Sequence, residues 1–86
     1  MGQAEFDAAL QEVKSLPDQP PEVLLELYGL FKQASAGDVS GKRPGMLDFK
    51  GRAKYDAWAT RKGMGKEAAM DAYVAVVERL KKAAGK

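Results

Sequence analysis

Eighty-six residues with a net charge of +2, 45% apolar and 30% charged, suit one small globular core, and no apolar run approaches the roughly 20 residues needed to span a bilayer. The chain has neither cysteine nor histidine, which excludes disulfides, thiol nucleophiles, zinc fingers, Ser-His-Asp triads and the usual transition-metal ligands. A single domain over 1–86 is expected, without catalytic residues, metal or cofactor, and with no secretory signal visible in "MGQAEFDAALQEV" the expected location is cytoplasmic.

The spacing of Phe6, Ala9, Leu10, Val13 and Leu16 predicts an amphipathic first helix over 4–16. Pro17, Pro20 and Pro21 cannot occupy a helix interior and form the connection, with Pro21 at the start of the second helix. Val23, Leu24, Leu27, Leu30, Phe31 and Ala34 carry that helix for four turns, and Gly37 supplies its stop. Gly29 at its centre costs about 1 kcal/mol relative to alanine; either a close neighbour requires it or it is a weak spot.

Residues 37–47, "GDVSGKRPGML", hold three glycines and one proline and read as a long surface loop. Asp48 is the expected N-cap of a third helix running to about Lys62, with Phe49, Ala53, Ala57 and Trp58 on its apolar side. "KGMG" ends it. The last helix runs from about Lys66 to Ala84, with Ala69, Tyr73, Val76, Val77, Leu80 and Ala84 on one stripe. The pattern is all-α, four helices and no strand.

Charge is unevenly distributed. Residues 1–41 carry two bases against seven acids, residues 42–66 eight against two, and residues 67–86 four against three. A basic middle segment in a near-neutral chain suits an anion: phosphate, nucleic acid or an acidic partner. Tyr28 and Lys32 stand four apart on the second helix, and Lys50 and Lys54 four apart on the third, so each pair shares a helix face. Should the faces converge, ammonium groups and a phenol could surround a phosphate; read from spacing alone, a solvated face is the plainer interpretation. Tyr73, Trp58 and Phe49 read as core. The carboxylates show no paired acid-base spacing, and Gly41-Lys42 is followed by Arg43, so there is no Walker loop.

The stretches "QAEFDAALQEVKSL", "YGLFKQASAGDVS", "RPGMLDFKGRAKYDAW" and "KGMGKEAAMDAYV" resemble, in order and spacing, the acyl-coenzyme A-binding proteins over nearly the whole chain. The resemblance implies an up-down-down-up four-helix bundle that binds medium- to long-chain acyl-CoA esters without chemistry, as a monomeric carrier and pool buffer. Carried over residue by residue, Tyr28 matches the tyrosine beside adenine, and Lys32 and Lys54 match lysines of the ribose 3'-phosphate site. Lys50 matches a further ligand-contacting lysine, Tyr73 the tyrosine of the fourth helix and Lys14 the lysine of the first, while Gly29, Leu30 and Phe31 occupy the ligand-lining turn. Phe31 stands where relatives often have tyrosine, Tyr55 replaces a usual tryptophan, and Met64-Gly65 replaces a usual Thr-Ser cap. Residues 17–21 offer no match for a lysine sometimes found there. Lys42, Arg43 and Arg52 receive no role beyond solvated charge. The competing readings are a small basic helical nucleic-acid-binding module and a protein-interaction bundle; the resemblance implies neither a nucleic-acid partner nor stable membrane insertion.

Overall fold

The computed structural model describes residues 2–85 and consists of four α-helices: α1 Gln3–Glu12, α2 Pro21–Ala36, α3 Phe49–Ala59 and α4 Lys66–Ala83. They form the up-down-down-up bundle, with no strand among the described residues. Local chemistry sets the ends. The Gly2 N–H donates to the Glu5 carboxylate at 2.9 Å to open α1. Pro21 takes the first position of α2, where its missing N–H costs nothing, and Asp48 accepts from the Gly51 N–H at 2.9 Å to cap α3. Gly37 closes α2 at φ +87°, a left-handed conformation that a side chain resists.

The sequence reading ran long at three ends. α1 stops at Glu12 and its last turn tightens to 3₁₀ over Val13–Ser15, because Leu16 is already extended on the way to the prolines. α3 stops at Ala59 and a turn replaces the expected helical residues to Lys62. α4 ends one residue earlier than Ala84.

α2 packs against both α3 and α4, and α1 packs against α4. The core is Phe6 and Ala9 from α1, Leu27, Leu30 and Ala34 from α2, and Ala69, Tyr73, Val76, Val77 and Leu80 from α4. Each large apolar side chain so buried stabilises the fold by about 1.5–3 kcal/mol. α3 contributes no buried residue. Phe49, expected in the core, is 76% exposed, and Trp58 is only half-buried, because α3 packs at any length on α2 alone among the helices and is otherwise met by the loop before it.

Polar bonds replace burial there. Trp58 Nε1 donates to the Gly37 carbonyl at 2.7 Å and the Tyr55 hydroxyl to the Gly41 carbonyl at 3.0 Å. Arg43 grips Asp56 through Nε–Oδ1 at 2.9 Å and Nη2–Oδ2 at 2.6 Å, so Arg43, exposed as expected, is also ion-paired. The bidentate bond raises the arginine pKa and holds the Asp56 carboxyl below its ordinary value. Three successive points of the loop are thus fastened to α3. Next to Gly37, buried Gln33 donates from Nε2 to Asp38 Oδ1 at 2.9 Å and to the Met64 carbonyl at 2.7 Å. Asp38 also accepts from the Gly63 N–H at 2.9 Å, and that bond, with Gln33's, lowers its pKa.

Candidate functional site

Gly29 determines how closely α2 and α3 meet. A Cβ built on it would lie 2.5 Å from the Ala57 carbonyl oxygen and 2.9 Å from its carbon, so only glycine permits this approach. The close neighbour left open by the sequence is therefore the α3 backbone. Across the contact the helices exchange side chains. The Lys54 ammonium of α3 sits 5.4 Å from the centroid of the Tyr28 ring of α2, and the Lys32 ammonium of α2 sits 4.8 Å from the Trp58 indole of α3. Both separations fall in the cation–π range. The convergence of Tyr28, Lys32 and Lys54, which spacing alone left undecided, is met.

Beside this pair of contacts lies an open groove of 320 Å³, walled by Pro21, Leu24 and Leu25 of α2 and by Phe49, Lys50, Ala53 and Lys54 of α3. Its lining is almost wholly apolar, with the two lysines along the α3 wall. Up-down-down-up order makes α2 and α3 run the same way, which brings Pro21 and Phe49, the first residues of each, to one end of it. A second hollow of 460 Å³ is lined by Val13, Lys14, Leu16, Pro17, Asp18, Gln19, Leu24 and Leu27. Leu24, 53% exposed, belongs to both.

The remaining expected residues separate into two groups. Lys14 lines the second hollow, its ammonium 3.4 Å from Gln11 Oε1. Phe31 is 37% exposed and stacks on Phe6 with centroids 6.4 Å apart. Gly29 and Leu30, expected to line the site, are instead buried between helices and support the turn that presents Tyr28, Phe31 and Lys32. Tyr73 is 4% exposed, edge-on to Phe6 at 5.2 Å, and burial pushes its phenol pKa up. Its ring belongs to the core.

Sequence reasoning missed Pro21, Leu24, Leu25 and Phe49 as groove walls and Trp58 as the seat of Lys32. One signal was present: Leu24 and Leu25 are consecutive, so α2 carries apolar surface on more than the single stripe a core needs. The chemistry assembled is two aromatic faces and mobile ammonium donors at the rim of an apolar trough. Such a combination suits an amphiphile with an anionic, aromatic head and a hydrocarbon tail.

The family model described as "Acyl CoA binding protein" matches residues 3–77. An acyl-CoA-binding protein homolog from Manduca sexta is 54% identical over 80 residues, covering 91% of this chain and 89% of that one. Among solved structures, Acyl-CoA-Binding Protein 2 of Oryza sativa superposes with a TM-score of 0.94 at 43% identity, covering 96% of this chain and 93% of that one. The protein from Moniliophthora perniciosa gives 0.92 at 42% identity, covering 100% and 86%. With its fold, its groove and its sequence in agreement, the chain belongs to the acyl-CoA-binding protein family.

Proposed function

We propose that the protein binds a long-chain fatty acyl-CoA ester across α2 and α3, without chemical change, and acts as a monomeric carrier that buffers the free ligand in the cytoplasm. Family membership makes acyl-CoA the ligand. The observation that carries the residue-level reading is the reciprocal pairing of Lys54 with Tyr28 and Lys32 with Trp58 at the rim of the apolar groove. In the proposed complex Lys32 and Lys54 leave their rings for the ribose 3'-phosphate, and the Tyr28 face so uncovered takes the adenine. Lys50 meets the remaining phosphates from the groove wall, and Lys14 meets the ligand from the first helix. Phe31 offers an apolar flank, and Tyr73 backs it through Phe6. The acyl chain lies along Leu24, Leu25, Phe49 and Ala53, each buried CH₂ contributing about 0.8 kcal/mol.

Neither half of such a ligand satisfies both surfaces. Palmitoyl-CoA is expected to bind more tightly than CoA or palmitate in titration calorimetry, and mass spectrometry is expected to recover the thioester intact. Lys32→Ala should weaken palmitoyl-CoA by roughly 1.5–3 kcal/mol, the usual worth of a charge-assisted bond. An affinity for palmitoyl-CoA no greater than for either fragment refutes the reading; an unchanged Lys32→Ala removes that residue from it. A nucleic-acid module is not favoured, because the converging lysines border an apolar groove rather than an open basic face.

A further inference from the structure

The turn before α3 is unusual in its chemistry. Asp48 N–H donates to the Gly45 carbonyl at 3.0 Å, so Met46 and Leu47 occupy the two central positions of the turn, where small or polar residues normally stand. Both project: Met46 is 76% and Leu47 91% exposed. Two residues on, Phe49 is 76% exposed and forms the lip of the groove, opposite half-exposed Leu24. Four large apolar side chains therefore stand in water at one end of the molecule, where folding gains nothing from them.

The surrounding charge is predominantly positive. Residues 42–54 hold Lys42, Arg43, Lys50, Arg52 and Lys54 against Asp48 alone. Asp48 is spent on the Gly51 N–H at the positive end of α3, and Arg43 on Asp56, which leaves Lys50 exposed in the first turn of α3 and Lys42 exposed four residues before Met46. Glu22, in the first turn of α2, is the acid on the facing lip. Two copies pairing symmetrically through this patch would bring like charge against like. A lipid surface with anionic headgroups presents the complement: negative charge for the lysines and hydrocarbon just below it for Met46, Leu47 and Phe49. No helix among the described residues is long and apolar enough to cross a membrane, so the contact is peripheral.

We propose that the Met46–Leu47 turn and the groove lip, flanked by Lys42 and Lys50, form a docking surface for anionic membranes that points the mouth of the groove at the bilayer. Passage of an acyl chain between groove and bilayer rests on the carrier reading above; the docking itself does not. The test is flotation of the full chain, without ligand, with vesicles of phosphatidylcholine alone and of phosphatidylcholine with phosphatidylserine. Binding is expected on the mixed vesicles only, reversed by high salt. Met46→Glu with Leu47→Glu is expected to reduce it at least about tenfold, and Lys42→Glu to reduce it further than salt-matched wild type. Circular dichroism and palmitoyl-CoA calorimetry should be unchanged in these variants, since none of the three residues lines the groove. Equal binding to both vesicle types, no binding, or full binding by the double variant overturns the proposal. So does dimerisation in sedimentation velocity that the double variant abolishes, which assigns the patch to a second copy. Failure of the wild type to bind palmitoyl-CoA refutes the carrier reading and leaves the flotation result standing.

Discussion

Gly29 shows how one hydrogen atom can set the geometry of a site. Its place in mid-helix weakens α2 by about 1 kcal/mol against alanine, yet the α3 backbone lies where a Cβ would be. Gly29→Ala gains propensity and loses the contact. Because the obstructing atoms are backbone, the helices must part, and overpacking of this kind costs about 1–3 kcal/mol. The net expectation is a lowered urea midpoint, accompanied by weaker palmitoyl-CoA binding, because Lys32 on α2 and Lys54 on α3 move apart and no longer converge on one phosphate. A more stable variant with undiminished affinity would show that the close approach is dispensable. The glycine was legible as an anomaly; its reason was not, since Ala57 lies 28 residues away and nothing local points to it. Phe49 failed differently. A period-based reading assigns every apolar residue on a stripe to the interior, and cannot see that α3 lacks a second helix packed closely against it.

At the level of elements, polar bonds at the loop ends compensate for what α3 does not bury. Asp38 fastens the end of α2 to the turn before α4 through Gln33 and Gly63, and these bonds hold its carboxyl below the ordinary 3.8. A depressed folded-state pKa means stability that is present above the unfolded value and lost as pH falls through the folded one. Stability measured by urea unfolding should therefore decline below about pH 3.8, with Asp56 acting in the same direction through Arg43. Asp38→Asn should have a lower midpoint at neutral pH and a shallower decline in acid; an unaltered acid slope would assign the loss to other carboxylates. These partners stand up to 25 residues apart, which explains why helix positions were readable from periodicity while the network was not. The caps were readable because capping is local: Asp48 and Gly37 stand within four residues of the groups they satisfy.

The molecule as a whole is unequally tied. α1, α2 and α4 share the buried core, whereas α3 rests on α2 and on three points of attachment to the loop. Local opening follows burial, so amide hydrogen exchange should be fastest in α3 among the helix interiors of the ligand-free protein. A ligand gripping Lys32 on one helix and Lys50 and Lys54 on the other closes that weak side. Saturating palmitoyl-CoA is expected to protect α3 more than α1 or α4; uniform protection along the chain would indicate that the ligand does not bridge the two helices. The overall bundle was legible because each helix announces its own stripe. The groove was not, because a cavity is what two stripes fail to cover.

Trp58 is the sole tryptophan of the chain, and the cation resting on it, Lys32, is one of the two proposed for the phosphate. In the proposed complex fluorophore and ligand compete for Lys32, which would make the protein its own optical indicator of occupancy. Titration with palmitoyl-CoA should shift indole emission and saturate at one equivalent, with no label attached. Most of that shift should vanish in Lys32→Ala, whose indole is uncovered from the start. Emission unmoved at saturation would mean that the lysine never leaves the ring.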